Sequence, residues 1–157
     1  MPGRPPPTSS TRRLTNAEKA LITKKNSLVQ AENKIFAELN TKFPAATIFC
    51  SNTSSISITE MATASGRPDR FLGLHFMNPV PLMPLVEMIK GAATDLAIFE
   101  KLKSFVKYIG KSPVVSDDYP GFIVNRILMP MLNEAMYAVF EGVASVEDID
   151  SAMKLGT

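Results

Sequence analysis

Pro79, Pro81 and Pro84 fall close together between two apolar runs, Phe71 to Met77 and Leu85 to Ile89. Proline locks φ and has no amide hydrogen, so neither a helix nor a strand interior can pass through this cluster. Each flanking run is too short for a helix and reads as a buried strand. Two more prolines partition the rest of the chain. Pro44 ends a helical pattern over residues 16–41, in which Leu21, Ile22, Leu28, Val29, Ile35, Phe36 and Leu39 share one face. Pro120 with Gly121 opens a long apolar stretch from Phe122 to Glu141, which reads as a helix kinked by Pro130.

Between these limits, Ala45 to Cys50 reads as a further strand and residues 59–64 as a short helical turn. Thr94 is placed to cap a helix ending at Ile109 and Gly110, and Val114 with Val115 marks a last strand. Ser145 and Asp148 approximate a capping box ahead of a final helix. The pattern predicts an α/β layer with a mixed sheet, giving way to helices alone after Ser116. The expected division is a disordered basic tail over 1–15, a sheet-bearing domain over 16–117 and a helical one over 118–157.

Composition narrows the function classes. Hydrophobic residues make up 45% of the chain, so disorder over most of its length is excluded. No apolar run approaches the roughly 20 residues a spanning helix needs. The net charge of +2 is concentrated at the start, where residues 1–25 carry six Lys/Arg against the single acid Glu18. The remainder is slightly acidic and carries no nucleic-acid footprint. Cys50 is the only cysteine, which excludes a disulfide or zinc framework within one chain. The segment MPGRPPPTSSTRR is Arg- and Ser-rich like a transit peptide, although its prolines oppose the amphipathic helix such peptides form.

Four residues stand out chemically. His75, the only histidine, closes the first apolar run, and Glu87 lies inside the second. A carboxylate in an apolar strand must be paired or face solvent. If the two strands are neighbours, Glu87 can accept from one ring nitrogen and leave the other as a base. A lone histidine at a strand end is also an ordinary core or surface residue. Ser54 lies in a small polar loop beyond a strand, where ligands of open α/β sheets collect, or where hydroxyls simply satisfy loop backbone. Asn125, among Phe122, Ile123, Val124, Ile127 and Leu128, needs a partner that is either a helix end or a ligand.

The stretches SNTSSISIT, RPDRFLGLHFMNPVPLM, LVEMIKG, DDYPGFIVNRILMPMLNEA and SVEDIDSAMKLGT resemble consecutive motifs of the L-3-hydroxyacyl-CoA dehydrogenase family, over roughly residues 31–157. HFMNP is similar to the signature of its monofunctional, short-chain 3-hydroxybutyryl-CoA members. The resemblance implies the second half of a Rossmann-like NAD-binding domain followed by the start of an all-α domain. It implies NAD-dependent oxidation of L-3-hydroxyacyl-CoA to 3-oxoacyl-CoA in fatty-acid metabolism, with an acyl-CoA substrate and a homodimer. By motif, the catalytic residues are His75, Glu87, Ser54 and Asn125, and the cofactor contacts are Asn52, Ser54 and Asn78. His75 would take the 3-hydroxyl proton as hydride leaves C3 for NAD, Glu87 would orient the imidazole, and Ser54 with Asn125 would hold the substrate oxygens.

The departures carry expectations too. The family's GxGxxG loop is absent from the sequence, Pro84 stands where a lysine is usual, and the region around Glu32 does not match the family's lysine. The chain is therefore expected to be a piece of the enzyme, incomplete at both ends. The alternative is a non-catalytic remnant serving as a binding or dimerising module. The family implies the mitochondrial matrix, the peroxisome or a bacterial cytoplasm, and the closing KLGT is not a peroxisomal signal.

Overall fold

The computed structural model describes residues 13–157. Up to residue 12, the expected tail lies outside the described residues. Helix α1 (Asn16–Lys42) opens with a capping box: Thr15 Oγ1 accepts from the Glu18 amide at 3.2 Å, and the Glu18 carboxylate accepts from the Thr15 amide at 2.7 Å. Of its expected apolar face only Val29, Phe36 and Leu39 reach the core, while Leu21, Ile22, Leu28 and Ile35 are exposed. The reason is length. Its helical neighbour α2 (Ile58–Ala64) has only 7 residues against the 27 of α1 and covers about two turns of it.

Four strands form one mixed sheet in the order β1 (Phe49–Ser51), β2 (Phe71–Phe76), β3 (Leu85–Lys90), β4 (Ser112–Asp117). The outer pairs are parallel and the central pair β2–β3 is antiparallel, as the proline-bounded connection between them requires. Alternation along β2 sorts its side chains onto two faces. Phe71 joins Ile58, Met61, Ile89 and Phe122 on one face, whereas Leu72 and Leu74 join Val86, Met88, Phe99 and Val106 on the other. The second face is covered by α3 (Leu96–Tyr108).

The expected cap of α3 is corrected. Asp95, not Thr94, accepts from the Ile98 amide at 3.0 Å. The Thr94 hydroxyl is already committed: it is buried, donates to the Phe71 carbonyl at 2.7 Å and accepts from the Gly91 amide at 2.9 Å.

Arg67 fixes the start of the sheet. Its buried guanidinium donates to the carbonyls of Asn40, Phe43, Pro44 and Thr47 and to Asn40 Oδ1, and it stacks 4.4 Å from the Phe49 ring centroid. It thereby satisfies carbonyls that the end of α1 leaves unpaired.

Beyond Asp117 the chain is helical. Helix α4 (Val124–Phe140) runs on through Pro130, and α5 (Val146–Gly156) starts at Ser145, whose hydroxyl accepts from the Asp148 amide at 3.1 Å. Neither helix buries a residue fully, and Met136, Phe140 and Leu155 are among the large apolar side chains they expose.

Candidate active site

The sheet topology makes the site. Parallel pairing of β1 and β2 places their carboxyl ends on one edge, so the loop leaving Ser51 passes over the end of β2. The antiparallel register of β2 and β3 sets His75 directly opposite Glu87. His75 is 6% exposed and Glu87 is fully buried. Glu87 Oε2 lies 2.7 Å from His75 Nδ1, and Ser54 Oγ lies 2.8 Å from Nε2. A carboxylate only accepts, so Nδ1 carries hydrogen, and in the neutral ring Nε2 is the acceptor of the Ser54 hydroxyl. The lone histidine is thus a group held at both nitrogens, with the exposed loop residue Ser54 lying between Nε2 and solvent.

The second oxygen of Glu87 has a separate task. Oε1 accepts from the amides of Ile123 at 3.0 Å and Val124 at 2.8 Å. These are orphan donors at the start of α4, where a carboxylate also meets the positive end of the helix dipole. One buried side chain therefore answers the question of how an acid can sit in an apolar strand. It both orients His75 and seats the helical segment on the sheet.

Approach to that helix is tight. Gly121 has φ +81°, and a Cβ there would stand 3.0 Å from the Arg126 amide. Phe122 adopts φ 48°, an uncommon conformation for a bulky residue, and is buried with its ring edge-on to His75 at 5.7 Å between centroids. Asn125 follows in the first turn of α4. It is half-buried, makes no side-chain hydrogen bond to the described residues, and lines an open groove of about 450 Å³ with Ser54, Ser55, Gly121, Arg126 and Met129. Ser54 and Asn125 thus share a groove beside the imidazole.

The other two residues expected at a cofactor lie at the same sheet edge. Asn52 is exposed, but its carboxamide oxygen accepts from the Phe76 amide at 2.8 Å, which continues the link between the ends of β1 and β2. Asn78 is exposed, and its peptide bond to Pro79 is cis. The turn that holds it is tied to β4 by Lys111, whose Nζ donates to the carbonyls of Val80 and Met83 at 2.5 and 2.9 Å.

Asp118 is a residue the sequence did not single out. Its carboxylate accepts from the amides of Ile58 at 3.0 Å and Thr59 at 2.8 Å and from the Ser57 hydroxyl at 2.7 Å. Burial acts to raise its pKa, but these hydrogen bonds outweigh burial and hold the carboxyl below its ordinary 3.8. The only signal in the sequence was a small acid next to a predicted domain boundary.

A hydrogen-bonded serine, histidine and acid also serve nucleophilic acyl transfer, which needs free amides to receive an oxyanion. Here the amides that follow Ser54 do not supply them. Those of Ser55 and Ile56 turn to Thr53 Oγ1 at 3.4 and 3.1 Å. The arrangement supports proton transfer at a ligand oxygen between Ser54, His75 and Asn125.

Residues 26–119 match the family model described as 3-hydroxyacyl-CoA dehydrogenase, NAD binding domain, and residues 121–157 match the C-terminal domain of the same family. A 3-hydroxybutyryl-CoA dehydrogenase of Bradyrhizobium diazoefficiens is 59% identical over 127 residues, covering 81% of this chain and 43% of that relative. The human mitochondrial hydroxyacyl-coenzyme A dehydrogenase is 55% identical over 129 residues, covering 82% of this chain and 41% of that protein. The crystal structure of (S)-3-hydroxybutyryl-CoA dehydrogenase from Ralstonia eutropha aligns with a TM-score of 0.78 at 46% identity, over 81% of this chain and 45% of that one. The chain spans less than half the length of these relatives. The match covers both parts of the fold: a Rossmann-like α/β layer and the first helices of an all-α domain.

Proposed function

The chain belongs to the 3-hydroxyacyl-CoA dehydrogenase family, and on that basis we propose that it carries the proton-transfer site for NAD-dependent oxidation of L-3-hydroxyacyl-CoA to 3-oxoacyl-CoA in fatty-acid metabolism. The observation that carries this reading is the hydrogen-bonded series Ser54, His75, Glu87. In the reaction the Ser54 hydroxyl turns from Nε2 to the substrate oxygen, Nε2 accepts the proton of the substrate 3-hydroxyl, and Glu87 stabilises the imidazolium through Nδ1–H. Ser54 and Asn125 hold the substrate oxygen from two sides of the groove. In the reverse direction the same Nε2–H returns the proton to the ketone.

NAD is the hydride acceptor of the family, and Asn52, Ser54 and Asn78 are the residues of this chain assigned to contact it. Its pyrophosphate does not fit the residues present. That group needs a glycine-rich turn from a strand into a helix, and no GxGxxG spacing occurs in the sequence. What the residues of this chain supply is therefore the proton chemistry.

The test is NADH oxidation with acetoacetyl-CoA beside a His75→Ala variant. Turnover lost in the variant supports the assignment. Equal turnover in both would remove His75 from the mechanism. A second reading is a module that binds without turning over. Acetoacetyl-CoA that shifts the His75 resonances, with no NADH consumed, would select it.

The same proposal divides the chain at 117/118, supported by the end of β4 at Asp117 and by the helices that follow. It gives α4 and α5 the role of pairing with a second copy, supported by the exposed Met136 and Phe140 of α4 and Leu155 of α5. A bacterial cytoplasm or a mitochondrial matrix fits relatives of both origins.

A further inference from the structure

We infer that Asp118 is a positioning residue for Ser54, holding the loop that carries the serine hydroxyl against His75. This rests on the proton-transfer reading of the site. Ser54 sits on a loop between Ser51 and Ser57 whose first residue, Asn52, is held to β2 by the Phe76 amide, and whose remainder is fastened at two further places. At its start, Thr53 Oγ1 takes the amides of Ser55 and Ile56, and the Thr53 amide donates to Ser51 Oγ at 3.2 Å. The Thr53 Oγ1 bonds fold the loop upon itself, and the Asn52 bond holds its first residue to β2, two residues short of Ser54. At its end, Ser57 caps α2 by accepting from the Glu60 amide at 3.2 Å, which leaves the first two helical amides, Ile58 and Thr59, without a partner from their own helix.

Asp118 supplies what is missing. Its two oxygens take both amides and the Ser57 hydroxyl across about 60 residues of sequence. The segment that begins at Asp118 then delivers Phe122 against the His75 ring and the Ile123 and Val124 amides to Glu87. The serine loop and the entry to α4 are the two walls around Nε2, and the Asp118 carboxylate is the tie between them. A tie of this kind sets the distance from Ser54 Oγ to Nε2 without touching the substrate. Misplacement by about an ångström costs a site of this type on the order of 100-fold in rate.

Because His75 is the only histidine, its ring nitrogens report on this tie by NMR whether or not the chain turns substrate over. The experiment is a double-mutant cycle on the pKa of His75, comparing Ser54→Ala, Asp118→Ala and the pair. Asp118→Ala is expected to move the titration in the same direction as Ser54→Ala, and the double variant is expected to move it no further than Ser54→Ala does alone. Shifts that add independently would overturn the inference, as would a His75 titration in Asp118→Ala unchanged from the parent. If Asp118→Ala fails to fold, Asp118→Asn keeps one acceptor oxygen for the amides and carries the same cycle, with a smaller shift expected. Should turnover be observed, Asp118→Ala lowers kcat more than it raises KM. A chain without turnover but with a coupled cycle would reject the proposed reaction and leave the Asp118–Ser54 tie standing.

Discussion

Replacing Glu87 by glutamine and by alanine should separate its two tasks. Oε1 serves the partly buried amides of Ile123 and Val124, and Oε2 serves His75. In Glu87→Ala both amides lose their acceptor at roughly 1–3 kcal/mol each, so the loss is about 2–6 kcal/mol before any cavity is counted. In Glu87→Gln the amide oxygen must face the two N–H groups, because turning the NH₂ toward them would oppose donors to donors. The oxygen then keeps both bonds, weakened by the loss of charge, and the expected cost is only about 1 kcal/mol. Its NH₂ is left pointing at His75 Nδ1, which must become an acceptor. The hydrogen moves to Nε2, the nitrogen that was to receive the substrate proton. Turnover should fall on the order of 10³–10⁴-fold, as expected when an imidazole is held in the wrong tautomer. Urea unfolding gives the stabilities, and ¹⁵N shifts of the single histidine give the tautomer directly. Alanine and glutamine variants of equal stability would refute the seating of α4 by Glu87. A glutamine variant that keeps hydrogen on Nδ1, or keeps its turnover, would refute the orienting role.

Other perturbations follow from the same geometry. Arg67→Met removes the guanidinium donors from the Asn40, Phe43, Pro44 and Thr47 carbonyls, of which Pro44 keeps the Thr47 amide. It should cost about 3–5 kcal/mol in urea unfolding, and Arg67→Lys should recover little because one ammonium cannot reach all four. Gly73→Ala would push a Cβ to 2.9 Å from both Ile58 Cδ1 and Ile89 Cβ. An overpacking cost of about 1–3 kcal/mol is expected, read as a lower urea midpoint at unchanged slope. Asp118 has a folded pKa lowered below 3.8, so its contribution is fully present above that value and is lost as pH falls through the lower folded one. Stability measured against pH should therefore fall less steeply below about pH 4 in Asp118→Asn than in the parent, and identical acid limbs would contradict the assignment.

What could be read from the sequence were features with a short period or a hard stop. Proline stops bounded β2 and β3, and the apolar runs located them, so the cross-strand meeting of His75 and Glu87 needed only that the two strands be neighbours. The exposed half of α1 shows the limit of this reasoning. Leu21, Ile22, Leu28 and Ile35 satisfy a helical period, but periodicity describes a face and not whether anything covers it. The exchange of Thr94 for Asp95 as a cap is a limit of another kind. Both residues cap well, and the choice was made by the Phe71 carbonyl and the Gly91 amide, to which Thr94 is committed by tertiary contact.

Asp118 and the second oxygen of Glu87 were illegible for one shared reason. Each satisfies backbone amides at a helix start far away in sequence, about 60 residues for Asp118 and 36 or 37 for Glu87. Amide donors leave no trace in side-chain identity, so no motif records them. The Ser54, His75 and Glu87 pattern could be found because its chemistry lies in side chains, and the ties that position it stayed hidden because half of each is backbone. Carboxylates that bridge a sheet edge to a helix start are therefore where a site read from motifs should next be searched. In this chain both such carboxylates lie along the one path that joins Ser54 and His75 to the start of α4.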